Sequence, residues 1–159
     1  MAGSITLDRI DRALLRALRV NARASGATLA ASVGIAESTV SLRMRRLQEN
    51  GVIKGFHAEF DPDLIGATVQ ALIAVRLEKH ARAEIEVFRR AAPAFPGVVR
   101  IFHMAGADDF LLHVVAKDAG ELREFVLTYL TGHPAVAHTE TNLIFDHADA
   151  EGWQRFLAD

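Results

Sequence analysis

The sequence predicts an α+β protein, with an N-terminal three-helix helix-turn-helix domain followed by a C-terminal ferredoxin-like βαββαβ domain. Three observations lead there. Apolar residues recur at helical spacing in three successive runs before Gly51, with a glycine between the second and third. From Val69 onward, β-prone runs and helical runs follow one another in the order βαββαβ. Charge also divides near Lys54: residues 1–54 hold nine Lys/Arg against four acids, net +5, while the remainder holds nine bases against sixteen acids, net −7. Such a split points to a polyanion partner for the first part and a different task for the second.

In residues 7–20, Leu7, Ile10, Leu14, Leu15 and Leu18 form an apolar stripe between charged positions, the mark of an amphipathic helix. Asn21 to Gly26 breaks the pattern. A short helix is then expected from Thr28, placed at its N-cap, to Val33, with Gly34 ending it. A third helix is expected over 36–50, with Val40, Met44 and Leu47 inward and Asn50-Gly51 as its stop. Leu29, Ala30, Val33, Gly34, Ile35 and Val40 occupy the packing positions of the motif: the small Ala30 lets helices approach, and Gly34 lets the turn take positive φ.

Val52 to Phe60 reads as an extended connector and Asp61-Pro62-Asp63 as a turn, so residues 55–67 form a connector strand and hinge between a domain at 1–54 and one at 68–146. Within the second domain, strands are expected over 69–78, 98–105, 110–117 and 136–145. A helix over 81–92 turns Ile85, Phe88 and Ala92 inward, and one over 119–130 packs through Leu122, Phe125, Val126 and Tyr129. Both helices cover one sheet face. Apolar residues nevertheless occur at both parities in the first and third strands (Leu72, Ile73, Val75, Leu77; Leu111, Leu112, Val114, Val115), so both faces read as buried. A second subunit is the simplest cover, and a homodimer suits a helix-turn-helix protein reading a palindromic site. Residues 147–159 are a tail in which Trp153, Phe156 and Leu157 lie at helical spacing; it is expected to dock on its own sheet domain or on a neighbour.

The absence of cysteine excludes disulfides and thiolate metal sites. Neither a signal-peptide apolar run nor a stretch of membrane-spanning length is present, which makes the cytoplasm the expected location, with no membrane partner. Of the seven histidines, His103, His113 and His138 fall on strands with Asp108 near their ends, but no HxH or HExxH spacing exists, and no metal or other cofactor is expected. GxGxxG and Walker motifs are missing too, and catalysis has no positive support; the chain is read as a non-enzyme.

The strings Leu7-Asp8-Arg9-Ile10-Asp11, Ala31 to Val40 and Arg45 to Gly55, together with the turn Gly106-Ala107-Asp108-Asp109-Phe110, resemble the Lrp/AsnC family of transcriptional regulators. The resemblance covers about residues 7–146. It implies a dimer built through the connector strand and the sheet domain, often assembled further into octamers, and an amino-acid effector bound where dimers meet.

Two groups of residues are candidates for the work. On the third helix, the positions off the apolar stripe include Ser38, Thr39, Ser41, Arg43, Arg45 and Arg46. Arginine can fork onto a guanine edge or bind phosphate, and hydroxyls serve base or backbone. Ser38, Thr39, Ser41 and Arg43 are expected in the groove of double-stranded DNA, with phosphate anchors among Arg45 and Arg46. Leu42 departs from the polar or basic residue that many family members carry, and either touches a thymine methyl or packs. Glu37 is expected to complement a helix N-terminus. For the effector, the resemblance points to His103, Met104, Ala105, Gly106, Ala107, Asp108 and Asp109, completed by Thr139 and Thr141 of a neighbouring subunit. Gly106 would allow close approach, turn N–H groups would hold a carboxylate, and Asp109 would balance an ammonium. The function expected is a sequence-specific DNA-binding regulator tuned by an amino acid. Its alternatives are a ligand-independent architectural DNA-binding protein and an amino-acid-binding allosteric subunit of an enzyme.

Overall fold

The computed structural model describes residues 5–78, 82–148 and 150–158, and divides the chain into two compact units. The first comprises residues 1–59 and 149–159, the second residues 60–148.

In the first unit, α1 spans Arg9–Val20, α2 Gly26–Val33 and α3 Glu37–Glu49. A reciprocal capping box starts α1: the Asp11 N–H donates to the Asp8 side chain at 2.8 Å, and the Asp8 N–H donates to the Asp11 side chain at 3.2 Å. The second helix begins two residues earlier than expected, because Ser25 rather than Thr28 is its N-cap; the Thr28 N–H donates to Ser25 Oγ at 3.1 Å. Gly34 closes α2 in the left-handed conformation, φ 70°. Leu14, Leu18, Leu29, Ala30 and Val40 make the buried core of this unit, flanked by Val33, Ile35, Met44 and Ile53. Burying each large apolar side chain stabilises the unit by about 2 kcal/mol.

The connector over residues 52–60 forms no strand, because it has no ladder partner in its own chain. Asp61 closes the turn that follows, its Oδ1 accepting from the N–H of Asp63 at 3.0 Å. The sequence places the C-terminal tail on its own sheet domain or on a neighbour; in the structure it belongs to the first unit. It folds onto α1, with the short helix α6 at Gln154–Leu157.

The second unit contains β1 (Val69–Leu77), α4 (Arg82–Ala91), β2 (Val98–His103), β3 (Phe110–Ala116), α5 (Ala119–Phe125, continued by a wide π turn over Val126–Thr131) and β4 (Val136–Ile144). Residues 79–81, including the expected first residue of α4, lie outside the described residues. The antiparallel sheet has the order β2-β3-β1-β4. Its helix side carries Ala71, Ile73, Val75, Leu77, Phe110, Leu112, Val114 and Ala116, all buried, against Phe88, Leu122, Phe125 and Leu130. Phe88 is the centre, with ring contacts to Phe95, Phe110 and His133. On the opposite face, which the sequence assigns to a second subunit, Leu72, Ala74, Leu111, His113 and Val115 are half-buried in the single chain, and Phe102 is 46% exposed. No helix of the described residues is long and apolar enough to cross a membrane.

Candidate functional site

On α3, the inward stripe of Val40 and Leu47 leaves Ser38, Ser41, Leu42 and Arg45 exposed, with Thr39 half-buried. Leu42 is 67% exposed, which settles its direction: it points outward rather than packing. Ser41 Oγ donates to the Glu37 carbonyl at 3.1 Å, and its lone pairs face solvent. Arg45 makes no hydrogen bond or ion pair among the described residues and is a free cation on the outer face. Glu37 stands in the first turn of α3 with its carboxylate over Gly26, the first residue of α2, where a Cβ would come within 2.7 Å of Oε1. Negative charge is favoured at both helix starts.

Arg43 was expected in the groove but is turned toward α1. Its Nη1 donates to Asp8 Oδ2 at 2.7 Å and to Asp11 Oδ1 at 2.8 Å. Arg46 Nη2 donates to Asp11 Oδ2 at 2.7 Å. Asp11 has no exposed surface, so its carboxylate is desolvated and needs both partners. The Asp11 N–H and the Arg43 guanidinium hold the Asp8 carboxyl below its usual value, and the two carboxylates raise Arg43 in return. These arginines fix α3 to the start of α1. Sequence reading missed Asp8 and Asp11, although a signal was there: Asp11 interrupts the helical stripe Leu7, Leu14, Leu18, and Asp-x-x-Asp is a capping-box spacing.

In the sheet unit, the segment from His103 to Asp109 joins β2 to β3. The Met104 N–H donates to the Asp109 carbonyl at 2.9 Å, closing the turn, and Gly106 has φ 139°, open to glycine. The N–H groups of Ala105, Gly106, Ala107 and Asp108 make no hydrogen bond among the described residues, so four donors cluster at an exposed turn. Asp109, expected to balance an ammonium, accepts the Leu77 N–H on Oδ2 at 2.7 Å, bracing the bulged end of β1. Asp108 is half-buried, and the His103 ring stacks on Phe110 with centroids 4.9 Å apart.

Thr139 and Thr141 lie on the helix side of β4, paired with Val75 and Ile73. Thr141 lines an apolar cleft of about 290 Å³ with Leu122, Val126 and Leu127; Thr139 lines a separate, mixed polar and apolar cleft of about 200 Å³ with Thr131, Val136 and His138. The strand order sets His103 and Thr139 on opposite sheet edges, three strand spacings or about 14 Å apart. One chain therefore does not bring the turn and the threonines together. Nor do the strand histidines converge, since His103 is on the helix side and His113 and His138 on the other.

A basic helix-turn-helix unit with an exposed polar third helix, followed by a ferredoxin-like unit with a donor-rich turn, defines a DNA-binding regulator that carries its own ligand-binding domain. Residues 7–54 match the winged helix-turn-helix DNA-binding profile, and residues 70–154 match the Lrp/AsnC ligand-binding domain. Among relatives, the chain is 47% identical over 141 residues to the transcriptional regulator AldR of Mycolicibacterium smegmatis, covering 89% of this chain and 82% of that protein. It is 44% identical over 141 residues to AldR of Mycobacterium tuberculosis, covering 89% and 79%. The chain belongs to the Lrp/AsnC family of transcriptional regulators. Among solved structures, a Neisseria meningitidis transcriptional regulator in complex with L-methionine matches with TM-score 0.85 at 26% identity, over 91% of this chain and 94% of that one. The crystal structure of Mycobacterium tuberculosis AldR matches with TM-score 0.74 at 39% identity, over 91% and 98%.

Proposed function

We propose that this regulator responds to a free amino acid or related small metabolite, which changes its assembly or its DNA affinity. The observation that carries the reading is the run of four N–H groups at residues 105–108 without a hydrogen bond among the described residues, donors able to hold a carboxylate, with the half-buried Asp108 beside them suited to an ammonium. Because Thr139 and Thr141 stand at the far edge of the sheet, they complete such a site on a neighbouring copy rather than their own. The half-buried face of Leu72, Leu111 and Val115 pairs subunits into a homodimer, and further assembly as far as octamers brings the turns and the threonines together. Ser38, Thr39, Ser41, Leu42 and Arg45 read or grip double-stranded DNA; Arg43 and Arg46 hold the reading helix in place. The L-methionine held by the meningococcal relative supports an amino-acid ligand class. The chain acts in the cytoplasm and has no catalytic task.

A thermal-shift panel of the common amino acids, followed by sedimentation of any hit, tests this. A ligand at about 100 times its Kd stabilises the folded state by about 2.7 kcal/mol. A stabiliser that also changes particle size supports the inter-subunit site; silence across the panel overturns the amino-acid reading. On the DNA side, Arg45→Ala combined with Ser38→Ala weakens operator binding. Arg43→Ala does not test base reading cleanly, since it also strips Asp11 of a partner.

A further inference from the structure

Arg9, Arg12, Arg16 and Arg19 recur along α1 at steps of three and four, forming one stripe on the side away from the buried Asp11, Leu14 and Leu18. The stripe covers about 15 Å of helix, a length over which one DNA strand carries about four phosphates. Three of these arginines are held by the C-terminal tail: Arg12 Nη1 donates to the Phe156 carbonyl at 2.6 Å, Arg16 Nη1 to the Leu157 carbonyl, and Arg19 Nη2 to the Ala150 carbonyl at 3.1 Å. Carbonyl oxygens bring no net charge. Among the described residues, Arg12 and Arg19 meet these acceptors and no carboxylate, so their positive charge stands uncompensated. Among the described residues, α6 buries none, and Trp153 and Phe156 are each 64% exposed.

We propose that the α1 arginine stripe is a second binding surface for the DNA phosphate backbone, covered in the free protein by residues 150–158 and uncovered when phosphates displace the tail carbonyls. A phosphate oxygen is an anionic acceptor in place of a neutral one, and charge-assisted hydrogen bonds are the stronger. The stripe is on α1 and the exposed polar set Ser38, Ser41 and Arg45 is on α3, so the two surfaces share no residue. The inference rests on the protein binding DNA and is independent of which α3 residues read bases.

Trp153 is the only tryptophan in the chain and sits in the latch, which makes the test direct in the full-length protein. On titration with a random-sequence duplex, Trp153 anisotropy falls in step with binding measured from a fluorophore on the DNA. In Arg12→Ala/Arg19→Ala, the log-log salt slope of binding is shallower by about two units, and Trp153 anisotropy is already low before DNA is added. The charge-keeping pair Arg12→Lys/Arg19→Lys retains the wild-type slope, which separates lost phosphate contacts from lost folding. A wild-type slope in the alanine pair, or a Trp153 signal unmoved while DNA binds, overturns the proposal. Operator binding weakened by Ser38→Ala/Arg45→Ala is scored separately, so failure of the stripe leaves the reading of α3 standing.

Discussion

Asp11 is a carboxylate without exposed surface, held between Arg43 and Arg46 at 2.8 and 2.7 Å and joined to Asp8 through the capping box. A buried charge is tolerable only while its partners stay, so truncating one member costs more than the pair is worth. Asp11→Ala leaves two arginines half in water and removes a cap partner; it should destabilise the helical unit by about 3 kcal/mol, read as a lower urea midpoint for helix loss. Asp8 supplies a pH dependence of known sign. Its folded value lies below the ordinary 3.8, so its stabilisation is complete above that pH and is lost as pH falls through the depressed value. Asp8→Asn should therefore flatten the acid limb of the melting-temperature profile below about pH 4.

At the level of elements, the turn between α2 and α3 depends on one backbone conformation. Gly34 has φ 70° with open space where a side chain would go, so Gly34→Ala meets backbone strain and no clash. The cost is about 1 kcal/mol, expected as a melting-point drop with the DNA-reading surface intact. In the sheet, His113 on β3 bonds Gln70 on β1 at 2.9 Å, with Arg100 opposite on β2 and Leu72 opposite on β1. Burial, then Arg100 and His147, lower its affinity for a proton. The unfolded chain therefore binds the proton more readily, and stability is complete above about pH 6.5 and declines as pH falls toward the folded value. His113→Gln should shrink the loss of melting temperature between pH 7 and pH 5; an unchanged loss would assign it to other groups.

For the whole molecule, the decisive fact is a sheet with helices on one side only. Leu72, Leu111 and Val115 line the centre of the other side and stay half-buried in a single chain. If this face pairs subunits, Leu72→Asp together with Val115→Asp places charge in the interface, and sedimentation should show a smaller particle at the same concentration. Wild-type size for that variant would move the subunit contact elsewhere. The opposite placement of the donor-rich turn and the β4 threonines makes ligand response and assembly one question at this scale, since the two halves of the proposed site sit on separate edges of the sheet.

Periodicity alone determined most of the architecture. Runs such as Val40, Met44, Leu47 and strand alternations such as Ile73, Val75, Leu77 specify which face is buried, because side-chain direction repeats every 3.6 or 2 residues. The family followed from local strings, and so did the outward set Ser38, Ser41 and Arg45. What the tertiary structure decided were the partners of charged groups. That Arg43 faces Asp11 across 32 residues, that Asp109 braces Leu77, and that the tail settles on the arginines of α1 rather than on the sheet are choices among long-range acceptors. A guanidinium or a carboxylate has the same local pattern whether it meets DNA, solvent or another helix. Only the packing of elements fixes which acceptor lies within hydrogen-bond reach.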